Sequence, residues 1–318
     1  MEHANPMLLE PVETVEILVL MDNFSDVLLS STEHAVRPPL APGGNIPATT
    51  LLAEHGLSLL ITVRGKSATS RLLLDAGYSD VGVPHNLDLL GVDLSDLEAL
   101  VLSHGHMDHF GALGSVLQRV GEQVPVVAHP AALEGCRYLD RPGAGLARFV
   151  DLPPEVVASL GSRLRLSAGP YVSPGRLWAT TGEVARETAF EKGMPGALRE
   201  RDGRMVADSL EDDTAVVVNV GGKGLVVISG CAHAGIVNTV RQARDITGVE
   251  KVYALVGGFH LGGATLAEVV DLTVEAIREF APQVVVPMHC TGRAATQRLE
   301  GVFGDAFEVS SVGTMFRL

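Results

Sequence analysis

The stretch "SHGHMDH", Ser103 to His109, sets His104, His106 and His109 around Asp108 in a chain with only 11 histidines among its 318 residues. Neutral imidazole and carboxylate are the donors that zinc prefers, and that iron and manganese accept at hydrolytic sites with a position left for water. Residues two apart in an extended loop face the same side, so His104 and His106 can share one ion. Asp108 and His109, opening a helix, would then aim a second pair at an adjacent position. The arrangement suits two divalent metal ions, zinc first, with manganese or iron as the other choices. Two such ions, about 3.5–4 Å apart, share a hydroxide, lower its pKa toward neutrality and polarise a carbonyl or phosphoryl oxygen. Asp108, besides ligating, would hold or relay the proton, which makes it the candidate catalytic residue.

The elements around this cluster explain how distant residues could join it. Apolar, β-branched runs read as strands at 15–20, 57–63, 71–77, 99–103, 124–129, 214–220, 224–230, 251–258 and 283–288. Four of them deliver a histidine at or just past the carboxyl end: "ALVLS" leads to His104, "GLVVISG" to Cys231 and His233, "KVYALVGG" to His260, and "QVVVPM" to His289. Loops beyond the carboxyl ends of neighbouring strands line the crevice of layered α/β folds, so these residues are expected to converge. His233 and His289 thereby join the metal-ligand candidates. His129, in "VVAHP", reads instead as a turn cap. Apolar residues at three-to-four spacing predict helices over 110–122, 235–247 and 265–281. The mixture implies an α/β fold of two mixed sheets with helices on their outer faces.

Composition narrows the partners. A formal charge of −14 with no basic run argues against a nucleic-acid or anionic-membrane footprint and leaves a small-molecule substrate. The three cysteines, Cys136, Cys231 and Cys290, are too few and too scattered for a disulfide framework, and the amino-terminal residues lack the order of a secretory signal, so a cytoplasmic protein is expected. Residues 1–318 read as one domain with a polar insertion or lid around 190–213, whose Arg199, Arg201 and Arg204 are expected to be solvated.

"SHGHMDH" has the H-x-H-x-D-H form of the metallo-β-lactamase superfamily, and the strand-then-ligand layout agrees with that superfamily's αββα sandwich. More narrowly, "EHGLSLLI", "LLLDAG", "LVLSHGHMDHFGAL", "GLVVISGCAHAGIVN", "GGFHL" and "PMHCTG" resemble its dihydropterin–ribofuranosylaminobenzene phosphate synthase branch, from about Val15 onward. The resemblance implies that His104 and His106 hold one metal, Asp108 and His109 the other, and that His289 is the last ligand. Cys231 stands where the superfamily has a bridging aspartate, with His233 two residues later; either could replace it, and His233 is favoured. The superfamily's third histidine has no counterpart before that strand, so Asp212 or Asp213 could substitute, or His233 could fill the gap. Cys231 and Asp213 are thus candidate ligands or partners that orient one, and His55 and His260 are expected to contact substrate. A metal-dependent hydrolase or transferase of a small, phosphorylated, pterin-related molecule follows, against a lactonase or thioesterase and a non-catalytic metal or pterin sensor. Position 106 is histidine rather than the glutamate of oxygen-reducing di-iron members, which disfavours redox chemistry.

Overall fold

A computed structural model describes residues 6–318 except positions 142 and 264; the first five positions, counted above in the domain, lie outside the described residues. Eight strands form one mixed sheet in the order β2 (Ala35–Val36), β17 (Met315–Arg317), β1 (Thr14–Met21), β3 (Ser58–Arg64), β4 (Thr69–Leu74), β5 (Ala99–Leu102), β6 (Val126–Ala128) and β9 (Leu164–Leu166). A second sheet runs β10 (Ala179–Thr180), β13 (Ala215–Val220), β14 (Gly224–Ser229), β15 (Val252–Gly258) and β16 (Val284–Met288). Each sheet is antiparallel in one half and parallel in the other: β4, β5, β6 and β9 pair in parallel, as do β14, β15 and β16. Parallel neighbours need crossover connections, and these carry the helices and leave the ligand-bearing loops at the carboxyl ends.

Both faces of these strands are covered, which is why their sequences read as continuous apolar runs rather than as alternations. Ile17, Ile61 and Leu72 of the first sheet meet Val216, Ile228 and Val256 of the second. On the outer face of the first sheet, Leu60, Leu73 and Leu100 pack against α1 (Gly82–Leu90) and α3 (Leu113–Leu117). On the outer face of the second, Val217, Val227 and Leu255 pack against α5 (Ile236–Thr247), α6 (Ala267–Phe280) and α7 (Arg293–Phe303). The result is an α/β sandwich of the expected layering. No helix among the described residues is long and apolar enough to cross a membrane.

Two expectations need correction. The helix predicted over 110–122 is broken into α2 (Met107–Phe110) and α3. The amides of Gly111 and Ala112 donate to the carbonyls of Gly77 and Ala76 at 2.8 and 3.1 Å, which draws the chain onto the β4 loop between the two short helices. Only glycine fits there, since a Cβ on Gly111 would lie 1.8 Å from the Tyr78 carbonyl oxygen. The polar stretch at 190–213 is also no solvated loop. It contains a hairpin, β11 (Ala197–Arg201) and β12 (Arg204–Ala207), that pairs with a second hairpin, β7 (Arg137–Arg141) and β8 (Gly145–Arg148), to make a third, four-stranded sheet. Arg201 and Arg204 are exposed as expected, but the Arg199 side chain is 1 % exposed and meets Glu134 at 2.8 Å and Asp208 at 3.1 Å. A buried guanidinium is tolerable only with such partners.

The same polar stretch secures α5. That helix begins at Gly235 with no side-chain cap of its own. Glu191, 8 % exposed, accepts hydrogen bonds from the amides of Val237 at 2.9 Å and Asn238 at 3.0 Å, supplying from a distant segment what a capping residue would supply locally. Glu191→Ala is therefore expected to cost about 1–3 kcal/mol of stability, read by chemical denaturation, because two buried donors lose their acceptor. An unchanged midpoint would mean that water replaces the carboxylate without loss.

Candidate metal centre

The carboxyl ends of β5, β14, β15 and β16 open onto one crevice, and the backbone there bends sharply. Asp75, Ala232, His260 and His289 all have positive φ, at 62°, 54°, 46° and 50°. Four non-glycine residues in this sparsely populated region, all around one crevice, mark a conformation that the surrounding packing imposes.

His104, His106 and His233 form a triangle of ring nitrogens. His104 Nε2 lies 3.0 Å from His106 Nδ1, and His233 Nε2 lies 3.2 Å from each of the other two. Beside it stands a second group: His289 Nε2 is 3.1 Å from Asp108 Oδ2, His109 Nε2 is 3.9 Å from the same oxygen, and the His104 and His109 rings are 4.1 Å apart. Cys231 Sγ, buried between them, lies 3.2 Å from His109 Nε2.

Hydrogen bonds behind the rings fix their orientation. Asp75 is fully buried; its Oδ1 accepts the Ser103 amide at 2.7 Å, and its Oδ2 accepts the Ser103 hydroxyl at 2.7 Å and His109 Nδ1 at 2.6 Å. With its proton committed to Asp75, the Ser103 oxygen is left to accept from His104 Nδ1 at 2.9 Å. Asn23 Oδ1 accepts from His289 Nδ1 at 3.1 Å, while the Asn23 amide donates to the His289 carbonyl at 2.9 Å. In His104, His109 and His289 alike, Nδ1 is held by an oxygen behind the ring and Nε2 is directed into the crevice, the arrangement found behind metal-ligating histidines.

The two donor sets differ electrostatically. Burial lowers His106 to about 3 and holds His104 and His233 well below the ordinary imidazole value, so these rings are neutral at neutral pH. Burial would lower His109 as well, but the facing Asp75 and Asp108 carboxylates outweigh it and raise this ring to about 9. Asp108 is held well below the usual carboxylate range against its burial, by His109 and His289. Burial pushes the Cys231 thiol up. The donor geometry fits a metal: zinc–nitrogen bonds of 2.0–2.1 Å in a tetrahedron put nitrogens roughly 3.3–3.4 Å apart, close to the observed triangle.

The structure thus brings together His104, His106, Asp108, His109, Cys231, His233 and His289. His55 and His260 flank them: exposed His55 lies 3.7 Å from Asp108 Oδ2, and the His260 ring is 4.2 Å from that of His233. The two aspartates before β13 support the loops that carry the histidines. Asp212 Oδ2 accepts from the Gly105 amide and from Arg137 Nη2, both at 2.7 Å, and so supports the loop between His104 and His106. Asp213 Oδ2 accepts the Ala234 amide at 2.8 Å, and burial raises this carboxyl to about 6. Each holds backbone through Oδ2, while its Oδ1 is buried without a hydrogen-bond partner. His233, favoured above for the carboxylate's place, takes the other place considered for it, that of the third histidine beside His104 and His106. His129 accepts the Ala131 amide at 3.1 Å and caps a turn.

Sequence reasoning missed Asp75, Ser103, Asp22 and Asn23. Asp22 Oδ1 accepts the His289 amide at 2.9 Å. The available signal was the one used for the histidines: Asp75 and Asp22 close the apolar runs "RLLL" and "VEILVLM" at strand ends. Phe149, whose ring stacks on His106 at 4.7 Å and 7°, had no such signal because it lies in the irregular middle of the chain.

The profile of the metallo-beta-lactamase superfamily matches residues 54–189. Over 270 residues, 83 % of this chain and 90 % of the other, the chain is 32 % identical to the 7,8-dihydropterin-6-methyl-4-(beta-D-ribofuranosyl)-aminobenzene-5'-phosphate synthase of Methanocaldococcus jannaschii. The chain belongs to the metallo-β-lactamase superfamily. A second relative from the same organism, an uncharacterised protein, is 31 % identical over 78 % of this chain and 88 % of its own length. The crystal structure of a metal-dependent hydrolase of the beta-lactamase superfamily superposes with a TM-score of 0.72 at 24 % identity, covering 96 % of this chain and 98 % of that one. The sandwich described above is therefore the superfamily fold, and divalent metal binding is a property the superfamily implies.

Proposed function

We propose that the protein is a dinuclear metal-dependent enzyme that hydrolyses, or transfers a group on, a small phosphorylated, pterin-related molecule. The observation that carries this reading is the pair of facing donor sets, with His104, His106 and His233 for one ion and Asp108, His109 and His289 for the other. The similarity to a pterin-related synthase supports the substrate class. Zinc suits the donors best, and manganese or iron would also be accepted. Bound there, divalent ions supply Lewis-acid activation of water and offset charge that develops on phosphorus-bound oxygen.

The chain's own residues set the rest. Asp75, Ser103 and Asn23 hold Nδ1 of three histidines from behind and so aim each Nε2 into the crevice. Asp108 Oδ2, at the solvent side of the group and held ionised by His109 and His289, is placed to accept a hydrogen bond from a reacting water or hydroxyl and relay its proton onward. His55 stands at the mouth, where its imidazole can meet a substrate oxygen, and His260 offers a second ring beside His233. Phe149 lies flat on His106 and gives the crevice an apolar wall against which a planar ring system can rest.

The test is a metal-supplemented screen of the purified protein against pterin phosphates, generic phosphomonoesters and phosphodiesters, and lactones. Turnover of phosphorylated pterins, abolished by a chelator and restored by zinc, manganese or iron(II), is expected. Turnover of lactones alone, or tight pterin binding without turnover, would overturn the reading in favour of an ester hydrolase or a sensor.

A further inference from the structure

We infer that Cys231 and Cys290 form a redox-sensitive thiol pair, which a peroxide closes into a disulfide, and that closure releases metal from the centre. All three cysteines are free thiols in this structure. Cys231 follows β14 and Cys290 follows β16, on either side of β15, yet their sulfurs lie within 4.8 Å of each other and of a His289 ring nitrogen. The Cys290 thiol donates to the Cys231 carbonyl at 3.5 Å. Side-chain rotation with a small backbone shift brings sulfurs this close into bonding distance.

The end of β15 lets the two meet. Gly258 closes that strand between the cysteines, and a Cβ on it would lie 2.7 Å from Cys290 Sγ and 3.3 Å from the Cys231 Cα. Any larger residue would collide with the Cys290 sulfur on its approach to Cys231. The third thiol, Cys136, has its sulfur 3.8 Å from Arg148 Nη2 and joins neither of the other two in a cluster of donor atoms.

The chemistry balances with the peroxide as sole oxidant. Cys290 is half-buried and Cys231 fully buried, so Cys290 is reached first: its sulfur attacks one peroxide oxygen, the O–O bond breaks, and a sulfenic acid and water form. The Cys231 sulfur then attacks the sulfenic sulfur, hydroxide leaves and takes up the thiol proton as a second water, and the S–S bond closes. Two thiols lose two electrons and two protons, and the peroxide takes up both. The new bond draws Cys231 Sγ from its place 3.2 Å from His109 Nε2. It also pulls on His289, next to Cys290, and on His233, two residues past Cys231, so that one bond disturbs both donor sets.

Full-length protein stripped of metal by a chelator and treated with hydrogen peroxide tests this, by peptide mapping without reductant and by zinc titration. A Cys231–Cys290 disulfide that dithiothreitol reverses is expected, with zinc bound about 10–100-fold more weakly by the oxidised form than by the reduced form. Cys136→Ser is expected to keep both responses and Cys290→Ser to lose both. Sulfinic or sulfonic acid without a disulfide, a disulfide that includes Cys136 or joins two chains, or equal zinc binding by the two forms would overturn the inference and leave the two-metal reading standing. A protein that binds no zinc in either form would overturn that reading and the redox control of it. Should Cys290→Ser fail to fold, the mapping and titration of wild type and Cys136→Ser decide the matter.

Discussion

Asp108→Ala is expected to lower turnover by about 10²–10⁴-fold and to leave one divalent ion per chain instead of two, with the fold intact. The side chain can be removed without damage because it does little for folding: it is half-buried, and its contacts are His289 at 3.1 Å, His55 at 3.7 Å and His109 at 3.9 Å, all in the crevice. The contact that matters for the fold, from the Leu57 amide to the Asp108 carbonyl at 3.1 Å, belongs to the backbone and survives the substitution. The side chain carries the negative charge that faces His109 and His289, and these two rings hold it ionised. Without it the second set retains two imidazoles and loses its only anionic oxygen, so its affinity for a dication falls far more than that of the His104, His106 and His233 triangle. Metal analysis after dialysis, far-ultraviolet circular dichroism and turnover on the substrate found by the screen check the three parts separately. Wild-type turnover with two ions retained would remove Asp108 from both roles.

Asp75→Asn is expected to weaken metal binding by about 10–100-fold without touching a metal ligand. The two Asp75 oxygens accept from three donors, the Ser103 amide, the Ser103 hydroxyl and His109 Nδ1. An asparagine must turn its own donor toward one side or the other, and either choice sets donor against donor in a fully buried place. Facing His109, it drives the ring proton to Nε2, where a metal would bind; facing Ser103, it breaks the support of His104. The unsatisfied contact costs about 1–3 kcal/mol of stability.

The same change carries a pH signature in the metal-free protein. His109 is raised in the folded state from 6.5 to about 9. A group raised on folding contributes stability that is complete below its unfolded value and is lost as pH climbs through its folded value. Asp75 is a main source of this rise, so the stability deficit of Asp75→Asn should be largest below pH 6.5 and shrink as pH passes 9. Denaturant titrations on either side of that window measure it. A deficit that does not vary with pH would show that Asp75 supports only the Ser103 backbone.

Two strand ends illustrate what was legible. His104 and His289 follow unbroken apolar runs, and burial on both faces of a parallel strand writes such runs directly into sequence. The helices at 235–247 and 265–281 were legible for the same reason, since each has one apolar stripe; α5 and α6 begin and end within about two residues of those bounds. The helix at 110–122 failed where its periodicity gave no warning, because the carbonyls of Ala76 and Gly77 that draw Gly111 and Ala112 away lie some thirty residues earlier. Arg199 failed likewise. Its neighbourhood is polar in sequence, and only the pairing of two hairpins turns it inward.

By itself the sequence determined the donor types, their order along the chain and the strand ends that carry them, because these follow from local patterns of periods two and three to four and from one dense motif. Which donors meet was decided by the tertiary structure. His233 and Cys231 are two residues apart with a left-handed residue between them, so that a single turn sends the imidazole to the His104 and His106 nitrogens and the sulfur toward His109. Asp212 and Asp213, equally plausible as ligands on paper, are taken up by backbone amides and an arginine that the fold brings from elsewhere. Hydrogen-bond directions and distances across the two sheets are non-local, and no spacing in the chain encodes them.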